Sequence, residues 1–144
     1  MTSGPLPDES SEYGRRVRSR LHDERVIWFT TTGADGTPQP NPVWFVWRDP
    51  DTVLIYNRAD AHRLAHIAAR PRVALHFDGD GQGGDIVVLT GTAHRVDAAP
   101  APHQAADYQA KYREAMTRVS GSPETFSTEY PVAVEVVVDR VRGF

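Results

Sequence analysis

Two short runs in this chain combine residue types that could hold and orient a ligand, whereas no run carries a conventional catalytic set. The six histidines stand at 22, 62, 66, 76, 94 and 103, and none falls in HExxH or another metal-ligand spacing. His62 and His66 are four apart on a short helix, a separation at which two imidazoles could share an ion. No Asp, Glu or Cys ligand stands beside them, so the pair reads as a solvated helix face and no metal is expected. There is no GxSxG elbow, and the serines cluster in the N-terminal segment, the first helix and the region around Ser120. The absence of cysteine excludes disulfides, thiolate metal sites and cysteine nucleophiles. No catalytic side chain is expected.

The first run is Asn41-Pro42-Val43-Trp44-Phe45. A strand with proline at one end and two large aromatics presents a flat apolar surface beside free backbone groups. That is what a planar tricyclic ring needs, an apolar wall with main-chain N–H and C=O groups at its polar edge. Ordinary core aromatics would give the same sequence. The second run is Tyr56-Asn57-Arg58-Ala59-Asp60-Ala61-His62-Arg63, where a strand ends and a helix starts. Unpaired N–H groups at a helix start suit phosphate, and Arg63 could add a bidentate contact with Arg58 on the approach. A third run, Gly79 to Asp85, has four glycines but links two strands and resembles no phosphate-binding fingerprint. It reads as a mobile hairpin loop or as a lid over a ligand.

The elements that must position these runs are mostly strands. Tyr13, Val17 and Leu21 lie on one helical face, with Ser11 as N-cap. Val26 to Thr32 is β-branched and aromatic, and Asp35-Gly36 is a hairpin turn leading to the strand Gln39 to Trp47. Pro38, Pro40 and Pro42 place that strand at an edge or beside a bulge. Further strands are expected at Thr52 to Asn57, Arg72 to Asp78, Ile86 to Val96 and Val132 to Phe144. Gly91 marks a bulge or a close backbone approach. Asp60 is the expected cap of a short helix ending before Pro71, and Pro100 to Arg118 reads as a second. Ser120 to Tyr130 reads as irregular. About six strands with hairpin spacing suggest a barrel rather than alternating βαβ units.

The 144 residues favour one domain, with residues 1–10 as a disordered tail and 11–144 as the folded unit. The net charge of −3 gives no sign of a nucleic-acid binder. Neither a signal sequence nor a membrane span is visible, which points to the cytoplasm. Of the 16 basic residues only Lys111 is lysine, which reads first as genomic bias.

The order of these segments resembles the pyridoxamine 5′-phosphate oxidase-like split β-barrels, and within them the F420-dependent flavin/deazaflavin oxidoreductases. The phrases that carry the resemblance are Asp35-Gly36-Thr37-Pro38, Pro42 to Phe45, Arg63 to Ile67 leading to Pro71 to Leu75, and Leu89 to Ala93. They cover about residues 15–142. The resemblance implies a mainly β fold, a six-stranded antiparallel split barrel with short flanking helices, paired as a homodimer with cofactor sites at the interface. It implies a cofactor-binding set of Asn41, Pro42, Val43, Trp44 and Phe45 along the ring, Tyr56 and Asn57 near the ribityl chain, and Ala61, His62 and Arg63 at the phosphate, with Arg58 as a weaker member. FMN-binding oxidases of this fold often carry Gln where this chain has Ile86, and an Arg-Lys pair where it has His62-Arg63. The expected cofactor is therefore F420, with FMN as the alternative. The expected activity is hydride transfer to a conjugated small organic acceptor. A binder that sequesters F420 or haem without turnover is the third reading, with His76 as the nearest haem ligand.

Overall fold

The alternation of apolar and polar residues that marks the strands is realised in one curled antiparallel sheet. The computed structural model describes residues 4–144. The strands are β1 (Ile27–Thr32), β2 (Pro38–Val43), β3 (Val46–Arg48), β4 (Thr52–Asn57), β5 (Arg72–His76), β6 (Val87–Val96) and β7 (Val132–Gly143), and the helices are α1 (Glu12–Asp23), α2 (His62–Ala69), α3 (Ala106–Ser120) and α4 (Pro123–Glu129). The sheet order is β2-β1-β5-β6-β7-β4-β3. Every neighbouring pair is antiparallel. No helix among the described residues is long and apolar enough to cross a membrane.

The sheet has seven strands rather than the expected six, because the run Gln39 to Trp47 is divided. β2 ends at Val43 and β3 begins at Val46, and these consecutive strands lie at opposite edges of the sheet. The two residues between them, Trp44 and Phe45, span the gap where the curled sheet meets itself. β2 and β3 are not paired with each other, so the sheet is curled rather than closed into a continuous barrel.

Two cores result. The inner one fills the curl with Phe29, Phe45, Ile55, Leu75, Leu89 and Val136 among others. The outer one lies under α3 and α4, where Val46, Leu54, Tyr56 and Ala133 meet Tyr108, Tyr112, Met116 and Phe126. β4 faces both cores, so Val53 to Asn57 are all buried. Its nearly continuous apolar run, TVLIYN, follows from that double burial. β1 faces only one and alternates strictly.

Local signals explain most element ends. The Ser11 side chain accepts from Gly14 N–H and caps α1. Asp60 does not cap α2 as expected; Ala61 holds the cap position without a side-chain hydrogen bond. α3 starts at Ala106 rather than at Pro100, because Ala101 precedes Pro102 and proline disfavours helical backbone at the residue before it. The region read as irregular contains α4, opened by Ser122 as N-cap and Pro123 in the first turn, a combination that favours a helix start. Of the segment expected as a disordered tail, residues 1–3 lie outside the described residues. Beyond them, Leu6 packs on the inner core and the Pro7 carbonyl accepts from Arg18 at 2.7 Å.

Gly91 sits where the β6–β7 register shifts. A Cβ there would lie 2.2 Å from the Val137 carbonyl oxygen, far inside contact distance, so the close backbone approach requires glycine. Gly91→Ala is expected to lower stability by about 3 kcal/mol, measurable by urea unfolding with an unchanged slope.

Candidate functional site

The gap at Trp44–Phe45 creates an unusual demand, because these two residues leave the ladder and their main-chain groups need partners elsewhere. α3 supplies them. The Phe45 N–H donates to the Tyr112 hydroxyl at 3.0 Å, and the Phe45 carbonyl accepts from Lys111 Nζ at 3.0 Å. The Tyr112 hydroxyl also lies 2.7 Å from the Arg25 carbonyl and 2.9 Å from that of Phe45, the two acceptors for its single proton. Burial pushes the Tyr112 phenol up to about 12, so it stays protonated at neutral pH.

The Tyr112 ring also stacks on Trp44, with centroids 4.9 Å apart and planes within 4°. Phe126 stacks on Trp44 at 5.4 Å, and Tyr130 stacks on Phe126 at 4.3 Å. The resulting row of four rings carries a guanidinium at each end: Arg25 is 5.8 Å from the Tyr112 centroid and Arg58 is 5.3 Å from that of Tyr130. Offset stacking and cation–π contacts of this kind add to what area burial alone provides.

Beside this row opens a cleft of about 480 Å³. Pro42, Val43 and Trp44 line it together with Tyr108 of α3, Phe126 of α4 and Tyr130 at the C-cap of α4. Val26 and Val119 stand at the cleft with 42% and 51% of their surface exposed. Tyr56, Arg58, Ala61 and Arg63 line the end where β4 passes into α2. The Tyr56 hydroxyl is committed to the Pro100 carbonyl at 2.6 Å, so this residue offers the cleft its ring only. The lining contains no carboxylate and no histidine.

Arg63 is the chemically conspicuous member. Its Nη1 donates to Asn57 Oδ1 at 2.6 Å. Asn57 is itself buried and fixed by donating Nδ2 to the carbonyls of Ile55 and Val132. Arg63 makes no ion pair with a carboxylate among the described residues. Burial lowers its pKa from the ordinary guanidinium value, yet an arginine remains charged in neutral water. A half-buried cation held by a neutral amide keeps its charge available for an anion.

Seven residues of the sequence-expected binding set thus meet in one cleft: Pro42, Val43, Trp44, Tyr56, Arg58, Ala61 and Arg63. Four do not line it. Asn41 is exposed on β2 opposite Phe29, Phe45 lies in the inner core, Asn57 is buried and accepts from Arg63, and His62 is exposed at the start of α2. The glycine-rich loop also lies elsewhere, with Asp85 paired to Arg16 at 2.9 Å and to Arg20 at 3.1 Å. His76 stacks on Trp28 and lies outside the cleft. His66 Nδ1 is engaged by the Thr31 hydroxyl at 2.9 Å. Among the described residues, no group of three or more His, Cys, Asp or Glu is placed to hold a metal.

With this geometry in view, comparison with known proteins identifies the family. The pyridoxamine 5′-phosphate oxidase family model matches residues 14–142. The chain belongs to the pyridoxamine 5′-phosphate oxidase family. Its fold is shared with solved structures that include an F420 reductase, at 21% identity and a TM-score of 0.68, covering 87% of this chain and 94% of that one. They also include an FAD-binding protein from Mesorhizobium loti, at 17% identity and a TM-score of 0.61, covering 88% of each chain. General Stress Protein 26 from Bacillus anthracis is a third, at 14% identity and a TM-score of 0.66, covering 88% of this chain and 89% of that one. At these identities the likeness is one of fold. No curated protein matches the chain in sequence.

Within this member of the pyridoxamine 5′-phosphate oxidase family, the Phe45 N–H in the gap between β2 and β3 depends on one phenol. Tyr112→Phe keeps the ring but leaves the buried Phe45 N–H without its acceptor, and is expected to cost about 1–3 kcal/mol in chemical denaturation. The pH dependence has a fixed sign. The folded-state value, about 12, lies above the ordinary 10.0, so the stabilisation is complete below pH 10 and is lost as pH rises through about 12. The part of the alkaline decline due to Tyr112 should be missing in the phenylalanine variant.

Proposed function

We propose that the cleft binds F420 and that the protein is an F420-dependent reductase acting on a conjugated small organic acceptor. The observation that carries this reading is a cleft lined by apolar and aromatic side chains and ending in a half-buried guanidinium that pairs with no carboxylate among the described residues. Those are the two features a planar ring with a phosphorylated side chain requires. The residues present fit the group: Pro42, Val43 and Trp44 would lie along the ring, and Arg63, aimed by Asn57, would take the phosphate. The Ala61 cap leaves first-turn N–H groups of α2 without a side-chain acceptor, which adds positive potential at the same end.

When bound, the deazaflavin supplies the hydride. The protein's part is binding, orientation and exclusion of water. The cleft lining contains neither carboxylate nor imidazole, and burial raises the Tyr56 and Tyr108 phenols above the ordinary tyrosine value, so both stay protonated and neither serves as a base at neutral pH. The proton that follows hydride transfer is assigned to solvent. F420 is favoured over FMN by Ile86, which has no polar group to offer a ring, and by His62-Arg63 in place of an Arg-Lys pair. We further propose that the chain works as a homodimer. The exposed Val26 and Val119 at the cleft support this, because a partner placed there would cover apolar surface and narrow the opening.

Titrating the purified protein separately with F420 and FMN tests the cofactor. Saturable F420 binding that outcompetes FMN is expected; FMN binding with no response to F420 overturns the assignment. Arg63→Gln is expected to weaken F420 binding by about 1–3 kcal/mol, since a charge-assisted contact is lost while the helix remains. Equal affinities for variant and wild type would remove Arg63 from the phosphate site.

A further inference from the structure

The single lysine of the chain stands at a place that suits the fold poorly. Lys111 Nζ lies 3.9 Å from the centroid of Phe45 and 5.4 Å from that of Tyr112. Its one hydrogen bond is to the Phe45 carbonyl at 3.0 Å, and it makes no ion pair among the described residues. Burial is the main cause that lowers its ammonium to about 8 from 10.5. Arg25 acts in the same direction, and Asp23 and Glu24 oppose it. His22, Asp49 and Asp107 line the shallow hollow on its outer side, and the neighbouring Tyr112 phenol remains neutral. A depressed lysine pKa means that the folded state disfavours the charge. Stability from this group is therefore lowest below pH 8 and rises as pH climbs from about 8 to 10.5.

An ammonium that holds both the carbonyl and the ring of Phe45, beside the link that leads into the cleft lining, points to a role in function. We propose that the Lys111 ammonium is a positioning residue for the ring-binding wall, fixing Trp44 through its grip on the Phe45 carbonyl and ring. The cation draws the carbonyl and the electron-rich face of Phe45 toward α3 together. Trp44 is the next residue, and its indole stacks against Tyr112 of the same helix turn. Loss of the proton leaves a neutral amine, which still donates a hydrogen bond but no longer attracts the ring. The link between strands then loosens although the sheet on either side stays paired. This inference rests on the cleft reading given above, and it makes stability and ligand affinity respond in opposite directions.

The test compares wild type, Lys111→Met and Lys111→Arg between pH 6.5 and 9.5. Two readouts are used: F420 or FMN affinity, and Trp44 emission of the unliganded protein in a Trp28→Phe, Trp47→Phe background. The melting temperature is followed in parallel. Lys111→Met should melt at or above the wild-type temperature at pH 7, yet bind the cofactor roughly threefold to tenfold more weakly. Wild-type affinity and Trp44 emission should both change with a midpoint near 8, and Lys111→Arg should show no such midpoint. Parallel loss of stability and affinity in Lys111→Met would reduce Lys111 to a packing residue and overturn the proposal, as would a wild-type Trp44 titration with no midpoint near 8. Should neither F420 nor FMN bind while Trp44 still titrates, the cofactor assignment fails and the positioning role stands.

Discussion

The architecture depends on a two-residue link between the opposite edges of one sheet. β2 and β3 are consecutive in the chain but last and first in the sheet, so Trp44 and Phe45 must cross where no strand neighbours them. The polar groups of the buried Phe45 cannot be left bare in an apolar setting, and α3 meets the need with one phenol and one amine. The helix therefore does more than cover the barrel. It stands in for the missing strand, and the ring of Tyr112 that comes with the hydroxyl builds the stack along the cleft. Backbone satisfaction and site construction share the same side chain.

Burial on both faces of β4 ties the two cores together. Ile55 and Val53 face the inner core, while Leu54 and Tyr56 face the helices. The end of this strand delivers Asn57 to the interior, where it orients Arg63 across the turn into α2. The cation at the site is thus registered against the most deeply buried strand rather than against a loop. A functional group placed in this way keeps its geometry without support from a carboxylate that would neutralise it.

Much of this was legible in the residues, for reasons that differ by element. Strand periodicity, the Asp35-Gly36 turn and Gly91 are local signals, and each appears in the structure where the sequence places it. Seven cleft residues are found in the two runs chosen for their chemistry. The division of the run Gln39 to Trp47 is not local, since only the identity of the sheet neighbours shows that the chain changes edge. The contribution of Phe126 and Tyr130 was hidden for a similar reason: they are four apart, in α4 and at its C-cap, a spacing that is visible only once Ser122-Pro123 is recognised as a helix start. The burial of Asn57 and its bond to Arg63 are likewise visible only in three dimensions, because they depend on how β4 packs.

The sheet order also has a consequence for how the molecule is made. β7 lies between β6 and β4 and joins the block β2-β1-β5-β6 to the pair β4-β3. It is also the strand furthest along the sequence. During synthesis the other six strands leave the ribosome before the piece that unites them, so both flanking edges wait unpaired for residues 132–143. A chain lacking that stretch leaves β6 and β4 with unpaired edges in addition to the outer edges of β2 and β3.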